Sequence, residues 1–337
     1  MTSVLVCGSL NYDLVTFTKR VPDAGETISA RNFETHGGGK GLNQCVAISR
    51  LLPENTATEV KMLGHVGGDS FGVELKKILE DSGVDTSMVK TLDGINTGVA
   101  TILVEQESGQ NRILISEGAN GFTKFSEPEL DELFPRSSES ESTGGDFVVF
   151  QNEIPGTIPI MQWIKENRPG LRIAYNPSPF REISKTDWAL VDVLIVNEIE
   201  ALQVLQSALN QRQLAAYEKK INEDVVEAYK QIAGQLKTII NNNKSLGAVI
   251  ITLGAKGSVF TSKASSEIYY AGAYKVSKVI DTTGAGDTFL GGVISQLCTN
   301  HTLENAVQFA TKASSLSIQK SGAAESIPSY SEVQGLI

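Results

Sequence analysis

Continuous apolar runs of strand length recur along the chain. They lie at "SVLVCGSL" (3–10), "VKMLGHVG" (60–67), "DFVVF" (146–150), "LRIAYNP" (171–177), "VDVLIVNE" (191–198) and "GAVIITLG" (247–254). A strand that is apolar at every position is buried on both faces, as in a parallel sheet covered by helices. Between the runs, apolar residues fall at helical spacing. "LNQCVAISRLL" (42–52) predicts one helix, and "FGVELKKILEDSG" (71–83) predicts another ending at Gly83. Strand–helix alternation over this length predicts an α/β fold built on a doubly wound, mostly parallel sheet.

Two segments break the rhythm. Residues 14–36 are polar, carry strand formers and a Pro-Asp-x-Gly turn, and have no helical period. Residues 97–118 alternate apolar with polar and fold back around "ESGQ" (107–110), a hairpin signal. Alternation implies one wet face, so both pieces are expected in a small β-sheet serving as a lid or a dimer surface. Two further stretches read as solvated additions: "PRSSESESTGGD" (135–146), and the helix-rich, strongly polar 203–245. There is no internal repeat.

Composition narrows the function classes. The 337 residues are 41% hydrophobic, enough for a large core. Twenty-nine basic against 39 acidic residues leave a charge of −10, which disfavours nucleic acid and anionic lipid as partners. Cys7, Cys45 and Cys298 are far apart and flanked by apolar residues, and His36, His65 and His301 share no metal-ligand spacing. Reduced core thiols are the simpler reading. "VLVCGSL" has neither a basic flank nor a small-residue cleavage site, and no apolar run approaches the ~20 residues of a membrane span. A soluble cytoplasmic protein is expected, and a nuclear pool is compatible with the same features.

The phosphate-loop pattern GxxxxGK[ST] is absent, because Gly41 follows Lys40 and Glu34 stands at the leading position. GxGxxG, GxSxG and HExxH are absent too. Five other elements carry chemistry. In "DTTGAGDTFLGG" (281–292), led in by a strand expected at "YKVSKVI" (274–280), Gly284, Ala285 and Gly286 open a helix. Their N–H groups have no intrahelical partner and form an anion cradle at the positive dipole end. Asp287 beside them is either a first-turn acid complementing the dipole or a base for a hydroxyl nucleophile. In "HGGGKGLNQ" (36–44), consecutive glycines admit a small ligand, while Lys40 and Asn43 supply the donors and acceptor a polyol needs; a bare hinge would explain only the glycines. In "GSLNYD" (8–13), Asn11 and Asp13 lie on one side of an extended segment at a strand's C-terminal end, where open α/β sheets bind ligands; an Asx turn is the bland alternative. In "VNEIE" (196–200), Asn197 and Glu200 fit a capping box, or a place near nucleotide phosphates and hydrated Mg²⁺, or both. In "ITLGAKGS" (251–258), Thr252, Gly254 and Gly257 form a glycine turn that could pass under a nucleotide.

The order and spacing of these elements resemble the ribokinase-like carbohydrate kinases, the phosphofructokinase-B family. "DTTGAGDTFLGGVI" resembles that family's C-terminal signature and "GGGKGLNQ" its N-terminal one; "VPDAGET", "NPSP" (176–179) and "VNEIE" also match. The similarity runs from Val4 to about Pro328, with the two polar stretches outside it. Within the family, "GGKGLNQ" together with "GSLNYD" is most similar to the branch whose acceptor is D-ribose.

The resemblance implies an ATP-dependent sugar kinase on a three-layer α/β/α domain with a small β lid. The main domain would be 1–13, 37–96 and 119–337, and the lid 14–36 and 97–118, pairing into a homodimer. It further implies sugar contacts from Asn11, Asp13, Gly39, Lys40, Asn43 and Glu153, with Asp287 as the base. The Gly284, Ala285 and Gly286 amides would form the anion hole. Nucleotide contacts would come from Asn197, Glu200, Thr252, Gly254, Gly257, Gly286 and Thr311, where many relatives carry His or Asn at the last position. Mg²⁺ would accompany ATP. An activating K⁺ would sit among Asp281, Thr283, Ser317, Lys320, Gly322 and Ser326. A kinase for another small sugar or a nucleoside, a catalytically silent sugar-binding protein and a nicotinamide dehydrogenase are the alternatives. The last is weakened by the missing GxGxxG, and the silent protein by the intact Asp287 and its glycines.

Overall fold

The structure, a computed structural model, describes residues 2–107, 110–135, 146–240 and 246–336. Most of the serine-rich stretch 135–146 and the tip of the 97–118 hairpin therefore lie outside the described residues. Thirteen strands are described: β1 (Ser3–Cys7), β2 (Asn11–Thr18), β3 (Asn32–Gly38), β4 (Glu59–Gly67), β5 (Val89–Leu92), β6 (Gly98–Glu105), β7 (Asn111–Ser116), β8 (Phe147–Phe150), β9 (Arg172–Tyr175), β10 (Val193–Asn197), β11 (Ala248–Thr252), β12 (Ser258–Thr261) and β13 (Tyr269–Ala271). The helices are α1 (Lys40–Arg50), α2 (Ser70–Asp81), α3 (Glu127–Leu133), α4 (Thr157–Asn167), α5 (Lys185–Trp188), α6 (Glu198–Ala208), α7 (Gln211–Glu223), α8 (Val225–Ile239), α9 (Ala285–Cys298), α10 (Leu303–Ser317) and α11 (Tyr330–Gln334).

The large sheet runs β13-β12-β11-β10-β9-β8-β1-β4-β5. It is parallel from β11 to β5, and only β12 and β13 are antiparallel. Its runs are buried on both faces, as their unbroken apolarity requires. Val4 and Val6 of β1 point to a core shared with α1, α9 and α10. Leu5 and Cys7 point to an opposite core shared with α4, α6 and α8. The architecture is the expected three-layer α/β/α sandwich with a small separate sheet, ordered β3-β2-β6-β7. That sheet takes in Asn11–Asp13 at one end of β2 and Gly37 and Gly38 at the end of β3. Among the described residues, no helix is long and apolar enough to cross a membrane.

Two expectations fail. Residues 274–280 form no strand; they run in open coil from β13 to α9, with Val279 and Ile280 half exposed. β-branched residues supply propensity, but without a sheet edge to pair with, no strand forms. The polar stretch 203–245 is not merely solvated. Its α8 buries Tyr229, Ile232, Ala233 and Leu236 against the core of the large sheet.

Candidate active site

The parallel strands end at one edge of the sheet, and the functional side chains emerge there. From β1 the chain passes through Gly8 and Ser9 into β2, which carries Asn11 and Asp13 two residues apart on one face. Asn120 braces this turn: its side chain accepts from the Leu10 amide (2.9 Å) and donates to the Leu10 carbonyl and to Asn11 Oδ1 (2.8 Å). Gly38 lies against Asp13. A Cβ there would come within 2.3 Å of the carboxylate. Beyond β8, Glu153 Oε2 accepts from the Ser9 hydroxyl and from the Lys40 amide (2.8 Å). Asn11, Asp13, Gly39, Lys40, Asn43 and Glu153 thus converge on one polar pocket beside the small sheet. Asn43 is buried with its Oδ1 unpartnered among the described residues, an acceptor suited to a hydroxyl ligand.

Burial, with Glu153 nearby and only His36 opposing, pushes the Asp13 carboxyl up to about 7. The ionised form is the one that can accept two hydroxyl hydrogen bonds. Sugar KM is therefore expected to fall as pH rises through about 7. Initial rates across pH check this, and a flat profile for wild type, or an unchanged slope in Asp13→Asn, would count against it. Burial draws the Lys40 ammonium down, but Asp287, Glu153 and Glu200 outweigh it and leave it above its ordinary value. A charged lysine between carboxylates suits a ligand that brings further negative charge.

Asp287 sits in the first turn of α9, 7% exposed. Its Oδ1 accepts from Gln44 Nε2 at 2.9 Å, and its Oδ2 accepts from Asn43 Nδ2 at a longer 3.3 Å. The helix begins after Gly284, whose φ of 71° is left-handed and costs least for glycine. The cradle is narrower than the glycines suggest. The Ala285 amide donates to Thr282 O (3.2 Å), whereas those of Gly284, Gly286 and Asp287 donate to no described residue. Nothing stands within 4 Å of a Cβ placed on Gly286, so the cradle opens outward. Ala285 therefore drops out of the expected amide set, because the turn that starts α9 occupies its N–H.

Towards the other end of the edge, Asn197 and Glu200 form a capping box: Asn197 accepts from the Glu200 amide (2.8 Å), and Glu200 Oε2 from the Asn197 amide (3.0 Å). Glu200 Oε1 accepts no hydrogen bond among the described residues, so capping leaves one oxygen for a ligand. Thr252 ends β11, and Gly254 and Gly257 make the following turn with positive φ. Thr311 lines a groove of about 440 Å³ with Phe260, Tyr269 and Tyr274. Its hydroxyl donates to Val307 O within α10 (2.8 Å).

Asp281 joins the α9 entry to the loop after α10. Its Oδ1 accepts from the Thr283 amide and hydroxyl, and its Oδ2 from the Gly322 amide (3.0 Å). Burial raises this carboxyl, yet those donors and His36 hold it below the usual carboxylate range. The Ile280 amide bonds to Ile318 O (2.8 Å), which brings the two loops together. Ser317 O accepts from the Lys320 amide, and the Lys320 ammonium turns away to Glu332. Ser326 is fully buried and bonds to Ala323 O. Asp281 thus brings a carboxylate to the place where the α9 entry meets the loop after α10. Sequence reasoning missed Ser9, Gln44, Asn120 and Asn176. Gln44 stands inside the quoted glycine motif, but only the fold reveals its partners.

A model of the family described as "pfkB family carbohydrate kinase" matches residues 1–330. The ribokinase of Schizosaccharomyces pombe is 38% identical, over 99% of this chain and 98% of its own length. That of Lactococcus lactis subsp. lactis is 34% identical, over 99% and 96%. The solved structure of Arabidopsis thaliana ribokinase complexed with ribose and ATP superposes with a TM-score of 0.79 at 26% identity, covering 100% of this chain and 99% of that one.

Proposed function

The chain belongs to the pfkB family of carbohydrate kinases, and from that premise we propose that it transfers the γ-phosphoryl group of ATP to O5 of D-ribose, giving ribose 5-phosphate and ADP. The observation that carries the reading is Asp287, buried between the polyol pocket and the free amides at the start of α9. The sugar hydroxyls would be held by Asn11, Asp13, Asn43 and Glu153. The 5-hydroxyl would give its proton to Asp287 as O5 bonds to the γ-phosphorus. The bond to the β-phosphate's bridging oxygen breaks, and ADP leaves with that electron pair. Free amides at Gly284 and Gly286 would stabilise charge on the transferred group.

Mg²⁺ would travel with ATP and neutralise phosphate charge, its water shell held on the Asn197–Glu200 side. K⁺ would sit beside Asp281 and the carbonyls of the 317–326 loop. Exchanging K⁺ for Na⁺ is expected to lower kcat on the order of tenfold, about 1.4 kcal/mol in the barrier. Steady-state rates in matched chloride salts measure this, and indifference to the swap would remove the site.

The small sheet would act as a lid that keeps water from the γ-phosphate. Ile113, Leu114 and Ile115 expose both faces of its edge strand β7, and Phe33 of β3 is exposed as well. A second copy of the chain would cover this edge, giving a homodimer. A cytoplasmic location fits the three buried, unpaired thiols. The deciding experiment is an ADP-release assay over pentoses, hexoses and nucleosides, with ribose expected to give the highest kcat/KM and deoxyribose a lesser one. A nucleoside or hexose preferred over ribose would move the assignment elsewhere in the family.

A further inference from the structure

We infer that Gln44 is the positioning residue that aims Asp287 at the acceptor hydroxyl. The inference rests on the reading of Asp287 as the base. Gln44 is fully buried on α1, and both its donors and its oxygen are engaged. Nε2 donates to Asp287 Oδ1 (2.9 Å) and to Asn176 Oδ1 (3.2 Å), while Oε1 accepts from Gln151 Nε2 (2.7 Å). Turning the amide over would set its oxygen against the Asp287 carboxylate and the Asn176 Oδ1, so one orientation is enforced. Asn176 is fixed in the same way. Its Nδ2 donates to Ile195 O (3.0 Å) and to Glu200 Oε2 (3.3 Å), which leaves Oδ1 for Gln44.

The terminal torsion of an aspartate is soft, and a carboxylate without a strong partner swings. Here Oδ1 is tied down by the shorter bond from Gln44, and Oδ2 receives only the longer one from Asn43. Oδ2 is thus the less encumbered oxygen and the one presented to the hydroxyl. Lys40 on α1 bears on this carboxylate too, with Glu153 and Glu200 close enough to act on Lys40. Gln44 meets Asp287 directly and reaches Glu200 only by way of Asn176, so measuring nucleotide binding separates the two routes.

The test compares Gln44→Met, which fills the same volume without a donor, Gln44→Glu, which sets a second carboxyl against Asp287, and Asp287→Asn. For Gln44→Met, kcat is expected to fall by up to about 10²-fold, the scale of a misplaced catalytic group. Ribose KM should hold, so that the loss falls on kcat alone. Gln44→Glu should lose more, because a carboxyl then stands where Nε2 donated to Asp287 Oδ1 and pushes that side chain away. Nucleotide and ribose binding, measured by calorimetry without turnover, should survive in both. A wild-type kcat in Gln44→Met, with Asp287→Asn strongly impaired, overturns the role of Gln44 alone. Loss of ligand binding in both Gln44 variants makes it a scaffold residue and also overturns the inference. Full activity in Asp287→Asn removes the base itself, and the inference with it.

Discussion

Asp287→Asn is expected to lower kcat by about 10²–10⁴-fold, the usual contribution of a positioned general base, while ribose binding largely survives. Asparagine keeps the shape of the side chain, and its Oδ1 can still accept from Gln44. What it loses is the ability to take the proton of the attacking hydroxyl. The sugar pocket keeps Asn11, Asp13, Asn43 and Glu153, and the amides of Gly284 and Gly286 still meet the phosphoryl group, so residual turnover should remain above the uncatalysed rate. ADP release gives kcat, and titration calorimetry gives ribose affinity. A variant with near-normal kcat would show that proton removal is not assisted at this position. Loss confined to ribose affinity would instead make Asp287 a sugar ligand only.

The large sheet was legible because a strand buried on both faces has to be apolar along its length, and β8 is so throughout while β1, β10 and β11 depart from it at one end residue each. The start of α9 was legible because Gly284 needs a left-handed backbone just where apolar residues take up a helical period. The misreadings have physical causes. Average polarity across 203–245 hid the single stripe by which α8 packs, since Tyr229, Ile232, Ala233 and Leu236 lie among charged neighbours. "YKVSKVI" has the propensity of a strand, but no partner edge reaches it. The Ala285 amide looked free because its acceptor, Thr282 O, depends on how the loop turns. Gln44 could not be assigned at all: Asp287 lies 243 positions away and Asn176 lies 132, and no local pattern encodes such a meeting. Individual site residues were visible as chemistry, whereas the bonds that orient them belong to the packing of α1 against α9.

That packing carries the second large effect. Gly291 on α9 faces α1 so closely that an added Cβ would stand 2.3 Å from the Ala47 Cβ and 2.8 Å from the Ala47 carbonyl carbon. Backbone atoms cannot step aside as a flexible side chain can. Gly292, the next residue, is held against Ala310 of α10, with a Cβ there 2.8 Å from the Ala310 Cα, so α9 cannot retreat freely either. Gly291→Ala gains up to ~1 kcal/mol of helix propensity, but overpacking in a close-packed core costs about 1–3 kcal/mol. Gly291→Val should cost more. The larger consequence is for the site. α1 carries Lys40, Asn43 and Gln44, and α9 carries Asp287. Parting the helices by about 1 Å misplaces the base relative to the sugar and is expected to lower kcat by about 10²-fold, even in protein that remains folded. Urea midpoints measure the stability term, and kcat of the soluble fraction measures the displacement. Gly170→Ala is the control, because nothing lies within 4 Å of its added Cβ, and its stability should change by less than ~0.5 kcal/mol. If Gly291→Val matched Gly170→Ala in both midpoint and kcat, the contact between α1 and α9 would not be what holds Asp287 in register.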